Sequence, residues 1–396
     1  MLYYLPLFLI LCLSSLVEVW DAGRVVLCGK DNRRQEWLLI AVTMFAVLFI
    51  GLRYYTGADW NIYIAHFIQS ASIGNSAGFE KGYYFLNKFI LLNTDNYYLL
   101  QLLASCFILI SSMRFFKNNG KYPVLIYSIF ILVFLGALMA QIRQTIALGF
   151  IFISVRYIFE RKFLLFLLMV VIACQFHISA IIALPLYFFN RNCGKILPII
   201  LIIVSQVSYL YPHFLVSFVE IITPYLPGRL SVISTNYLTK ATFFIRQQEI
   251  QSGYYYIARV LLAVFVIAFA KPGNGKEFFF INTLTIATCI KGLSMGMSIL
   301  ERFADYYLIF GVASYIFLLS IDIHIPKWLK FSLWLRVKLF VITFFIIVFF
   351  AIPLWRSVTS DKISELNGRP GSYRYVPYYN VLYHSEDANK RKDWNE

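Results

Sequence analysis

The chain has 396 residues, 60% of them hydrophobic and only 14% charged, with a formal net charge of +15 and a mean hydropathy of +0.70. A soluble domain carries nearer ~25% charged residues, so an ordinary globular enzyme is excluded. In a soluble protein such a cation excess would point to nucleic acid, but here Lys and Arg sit in short loops between apolar runs, where they report topology, and no nucleic-acid partner is expected.

Repeated apolar segments of roughly 17–25 residues without alternating faces predict an all-α, polytopic integral membrane protein rather than a β-barrel. In chain order the candidate spans are 2–19, 36–52, 97–113, 122–139, 142–159, 163–189, 196–211, 254–270, 278–300, 303–321 and 337–354. The segment 163–189 is long for one helix, and CQFHISA (174–180) interrupts it with Gln175, His177 and Ser179. It divides into two short halves meeting near His177, which brings the expected number of crossings to about twelve. The clusters Arg24 to Arg34, Arg114 to Lys121, Arg161 with Lys162, Arg191 with Lys195, Lys271 with Lys276, and Lys327 to Lys338 then all fall on the cytoplasmic side. Both termini face outward in this arrangement.

Residues 1–355 therefore form a transmembrane bundle, with two long outer loops, 53–96 and 212–253, and an outer tail, 356–396. Residues 60–70 and 80–92 have helical apolar spacing, so the first loop is expected to hold short helices on or in the membrane surface. The second loop, with Pro224, Pro227, Gly228 and a polar run, reads as a partly ordered flap. The six cysteines lie far apart, without metal-ligand spacing.

Charged residues gather toward the outer side. Arg53 and Asp59 emerge there in GLRYYTGADWNIY, Arg143 lies near the outer start of its span, and Arg259 and Lys291 lie inside theirs, in the outer half. Arg302 and Asp305 open the next span from outside. A charge at helix centre costs around 2.5–3.5 kcal/mol even on the lenient insertion scale, so something must compensate. Mutual pairing and snorkelling are one answer. The other is an amphiphilic, anionic ligand, since guanidinium binds phosphate oxygens bidentately and aromatic faces stack on sugars.

Four ordered motifs run through the first half of the chain: R-x-x-x-G-x-D (Arg53, Gly57, Asp59) followed by Tyr63, E-x-G-Y-x-x-L-N (Glu80, Gly82, Tyr83, Leu86, Asn87), R-Q-x-I-A (Arg143, Gln144, Ile146, Ala147), and H-x-S-A with L-P-x-Y (His177, Ser179, Ala180, Leu184, Pro185, Tyr187). In order and spacing this set resembles the EpsG-like branch of Wzy-type polysaccharide polymerases, and RFADYY (302–307) resembles that family's distal element more loosely. The resemblance covers most of residues 36–310. It implies a GT-C-like glycosyltransferase in the bacterial inner membrane, moving a growing glycan from undecaprenyl diphosphate onto another lipid-linked repeat unit at the periplasmic face. Membrane lipids and a chain-length regulator are the further partners it implies.

Such a reaction needs cations for the diphosphate, for which Arg53, Arg143, Arg259, Lys291 and Arg302 are available, with Gln144, Tyr83 and Asn87 as polar and aromatic neighbours. It also needs a base for the acceptor hydroxyl: His177 is the expected base, with Asp59 and Glu80 orienting Arg53 or the acceptor. No D-x-D occurs, so no metal and no cofactor are expected. Each candidate has a structural alternative. His177 fits a satisfied core histidine, Glu80 and Asn87 fit the wet face of an interfacial helix, and Asp59 fits a helix cap. A lipid-linked oligosaccharide flippase or a membrane O-acyltransferase is the alternative function.

Overall fold

The computed structural model describes residues 2–28, 32–57, 59–70, 79–211, 213–225, 241–294, 298–320, 331–359 and 378–381, with Gly228, Ser231, Ser234, Thr235 and Leu238 between them. Most of the 226–240 part of the second loop and of the tail, including the positions near Asn236 and Gly371, lies outside the described residues. Two compact units are present: residues 1–156, 164–181 and 322–396 form the first, and residues 157–163 and 182–321 the second.

In the first unit α1 (Leu5–Cys28), α2 (Asn32–Gly51), α5 (Tyr97–Asn119) and the helix Phe331–Thr359 pack around α6 (Pro123–Ala140). The sequence of α6 is apolar on every side, and such a helix belongs in the middle of a bundle; nearly all its side chains are buried. By contrast α2 turns Trp37, Met44 and Leu48 outward. A large apolar residue on the outside is the ordinary face of a membrane helix. Polar side chains inside are tied to the chain itself: Ser15 Oγ donates to Leu11 O at 2.7 Å and meets Ser128 Oγ at 3.0 Å.

The 53–96 loop holds the short helices expected there, α3 (Trp60–Gln69) and α4 (Lys81–Thr94). Between α2 and α3 the chain makes a tight turn that only glycine can complete. Gly57 has φ +115°, and a Cβ there would stand 2.4 Å from the Met139 carbonyl oxygen. Beside this turn lies an element that the all-α expectation did not contain, an antiparallel pair of two-residue strands, β1 (Arg53–Tyr54) and β2 (Tyr379–Asn380). Tyr378 anchors it, stacking on Phe49 with centroids 4.5 Å apart and donating its hydroxyl to the Phe49 carbonyl.

α7 (Ile142–Phe159) is followed by α8 (Phe163–Cys174), and the break expected at His177 is present: a turn at 175–177 separates α8 from the 3₁₀ helix Ile178–Phe188. Twelve helical residues rise only ~18 Å, well short of the ~30 Å hydrocarbon core. The interruption thus leaves two short helices with His177 at their junction.

Within the second unit the helices Ile196–Ser205, Gly275–Leu293 and Ser298–Gly311 pack together, the last continuing as a 3₁₀ helix, Val312–Ser320. Gly311 permits the close approach, since a Cβ on it would meet Leu284 Cα at 2.8 Å. The helix Ala241–Phe269 runs unbroken from the end of the 212–253 segment into the apolar run 254–269. Among the described residues six helices are long and apolar enough to cross a membrane, and five shorter apolar helices accompany them. The chain is an all-α, multi-pass membrane protein.

Candidate functional site

Three of the four motifs meet in the first unit, and the geometry of α4 explains how. Glu80 occupies the N-cap position of α4, yet its carboxylate accepts no hydrogen bond from its own helix. It turns instead toward the break after α8. Gly82 permits this, because its missing Cβ would lie 2.8 Å from both Cβ and O of Gln175. The backbone at 175–178 comes within bonding range: Tyr83 N donates to Gln175 O at 3.2 Å, and Ile178 N donates to Glu80 Oε1 at 3.0 Å.

Two ionisable partners complete the Glu80 shell. Arg143, in the first turn of α7, places Nη1 2.8 Å from Glu80 Oε2. His177 places Nδ1 3.3 Å from Oε1. Burial alone would raise the Glu80 carboxyl, but the His177 ring, the Arg143 charge and the Ile178 amide outweigh it and hold it down at about 2. Glu80 is therefore an anion throughout the physiological range. Nδ1 is the ring nitrogen of His177 that faces this carboxylate; in the tautomer that donates from Nδ1, the lone pair is on Nε2.

An aromatic wall adjoins this triad. The Arg143 guanidinium carbon lies 4.1 Å from the centroid of Phe79, and the His66 ring lies 4.2 Å from the same ring. Tyr83, fully buried, stands 5.8–6.0 Å from Phe79, His66 and Tyr63. Asn87, one turn on, is equally buried and donates to Tyr83 O at 2.7 Å. Glu80 is itself largely buried and Asn87 lies in the core, so the pair does not form the wet face of an interfacial helix. Gln144, next to Arg143, is buried as well.

Arg53 has a different setting. Its side chain is 1% exposed, and Nη1 donates to Ile50 O at 2.6 Å. Gln101 pins the backbone around it, donating to Gly51 O at 2.9 Å and Arg53 O at 2.8 Å. Among the described residues no carboxylate pairs with Arg53, so mutual pairing with Asp59 does not compensate its charge. Burial lowers the guanidinium, partly offset by the tyrosines around it, Tyr97 and Tyr378 first. Asp59 takes the N-cap position of α3 but makes no side-chain cap bond, which corrects the capping alternative as well. The reason is backbone geometry: φ −113° and ψ 15° depart from the extended conformation that aims a capping side chain at its helix.

Arg259, Lys291 and Arg302 belong to the second unit. Arg259 lies 5.9 Å above the Tyr255 ring, Lys291 is in the last turn of Gly275–Leu293, and Arg302 is half-buried on Ser298–Gly311.

His66 was missed in the sequence. It is a polar residue inside the apolar helix WNIYIAHFIQ, 4% exposed, and its Nδ1 makes no hydrogen bond among the described residues. Burial first and then the Arg143 charge lower its imidazole below the usual histidine range, so it is neutral at pH 7.

No curated protein and no solved structure matches the chain. A family model does, over residues 36–380, which span every motif just described and the β2 strand. The chain belongs to the EpsG family, the family of Wzy-type polysaccharide polymerase-like proteins.

Proposed function

We propose that the protein is a glycosyltransferase that polymerises lipid-linked oligosaccharide repeat units at the periplasmic face of the inner membrane, with undecaprenyl diphosphate as the leaving group. The observation that carries this reading is the Glu80 carboxylate holding the Arg143 guanidinium and the His177 imidazole at once. Family membership supports the same class of activity.

In the proposed step the acceptor hydroxyl loses its proton to His177 Nε2 as its oxygen bonds to the donor sugar's anomeric carbon. The bond from that carbon to the diphosphate breaks, and the departing charge is met by guanidinium. Arg53 and Arg143 are the cations that the first unit offers for this role. Asp59, which makes no capping bond, remains a candidate for orienting the acceptor. A GT-C-like bundle with about twelve crossings fits the six long helices if the shorter apolar helices complete the rest.

Purified protein given synthetic diphosphate-linked repeats is expected to make a ladder of products. His177→Gln should reduce turnover about a hundredfold or more. Near-normal turnover would remove His177 as the base, and a wild-type protein that makes no ladder would remove the polymerase reading. For the topology, cysteines introduced near Asp59, Asn236 and Gly371 should react with a membrane-impermeant reagent added outside, and those near Asn118 and Asn274 should not. Labelling at 118 from the periplasm would invert the arrangement.

A further inference from the structure

α3 carries a feature that the polymerisation step leaves unused. Asn61, Ile62, Ala65, His66 and Gln69 recur at helical spacing and, with Phe79, line a cleft of about 320 Å³. That volume lies at the small end of ligand pockets.

The lining carries no charge: it consists of two primary amides, an imidazole, an aromatic ring and two aliphatic groups. None of the six lining residues is a cation that could pair with a phosphate. A purely apolar ligand would desolvate three polar side chains without replacing their hydrogen bonds. A ligand that is uncharged, compact and rich in hydroxyls meets neither penalty. Asn61 and Gln69 stand eight residues apart, roughly 12 Å along the helix, and so reach both ends of such a ligand. His66 lies between them. Its ring is neutral and forms part of the cleft wall.

We propose that this cleft is a sugar subsite that holds one neutral pyranose ring of the glycan, read through hydroxyl hydrogen bonds to Asn61, His66 and Gln69. The proposal rests on the polymerase reading and deepens it, because it names where the enzyme discriminates between repeat units.

The test uses full-length protein in an amine-oxide detergent, whose head group is not a sugar. The probe is the oligosaccharide repeat released by hydrolysis from the producing cell's own surface glycan, with no lipid and no diphosphate. Saturation-transfer NMR should mark the protons of one ring of this repeat. Ala65→Trp, which fills the cleft from an exposed position, should abolish the transfer, and Gln69→Ala should weaken binding about fivefold to tenfold. Ile68→Trp, on the same helix but outside the cleft lining, should bind as the wild type does. If Ala65→Trp and Gln69→Ala both melt like the wild type and bind the repeat unchanged, the subsite is wrong; a repeat that never binds the wild type overturns it too. Turnover of diphosphate-linked repeats by the wild type judges the polymerase reading separately, since its failure would leave binding of the free repeat unaffected.

Discussion

Glu18, buried, and Glu80, largely buried, are two carboxylates at opposite ends of α6, one bonded to its first turn and the other to Arg143 just past its last residue. Both accept backbone amides at the start of another element. Glu18 takes Val124 N at 3.0 Å and Leu125 N at 2.8 Å, just after Pro123, which has no N–H to offer, and Gln35 closes the shell at 2.6 Å. Its donors are all neutral amides, so the arrangement caps α6. Glu80 takes one amide and two ionisable side chains. Burial and full satisfaction are thus common to both ends of the bundle, and the titratable partners are what mark a candidate site.

Substitution should separate the two most sharply in turnover. Glu80→Gln removes the anion between Arg143 and His177 and is expected to reduce turnover by a factor on the order of a thousand, because both the orientation of the base and the placement of a phosphate-binding cation are disturbed. Glu18→Gln should leave turnover per folded molecule unchanged. Its cost is stability, about 1–3 kcal/mol, because an amide NH₂ would face backbone N–H donors at the start of α6. The readouts are product ladders normalised to folded protein and thermal melting in detergent. Equal losses of turnover in the two variants would erase the distinction between cap and site.

A smaller effect is expected at Gly82. The side chain of Gly82→Ala must displace Gln175, whose backbone oxygen is among the atoms in the way, so α4 has to shift by some tenths of an ångström. Such a shift lengthens the contacts of Glu80 with Ile178 and His177, and a misplacement near 1 Å costs on the order of a hundredfold in rate. A loss of about tenfold to a hundredfold in turnover, with the protein still folded, is the expected outcome. Unchanged turnover would mean that the approach of α4 to the 175–177 turn does not position the base.

The same contrast explains how much of the molecule could be read from its sequence. Helical spacing revealed α3 and α4, and Gln175 with His177 in an otherwise apolar run revealed the break, because both signals are local. Glu80, Arg143 and His177 were each selectable by residue type, but their convergence spans 97 positions from Glu80 to His177, and no local pattern encodes it. Glu18 was passed over since its partners are backbone amides, which leave no trace in residue identity. His66 carried one usable signal: with Asn61 and Gln69 it places polar groups along a stripe of α3 that surface burial alone does not require. The β2 strand, within a tail of low apolar content, had none.

The smallest expected effect concerns acid. The Glu80 carboxyl is held at about 2, well below its ordinary 4.5, so the interaction contributes stability above the ordinary value and loses it as pH falls from there toward 2. Protonated glutamic acid and glutamine are nearly the same shape and carry the same zero charge. The difference in melting temperature between the wild type and Glu80→Gln should consequently be full at about pH 5 and shrink at each step toward pH 3, while the Glu18→Gln protein serves as a second reference with the Glu80 cluster intact. Comparing the two proteins at each pH removes the background from every other carboxylate that titrates in the same window. If the difference stays constant or grows on acidification, Glu80 is not held ionised by Arg143 and His177, and the electrostatic basis of the candidate site fails with it.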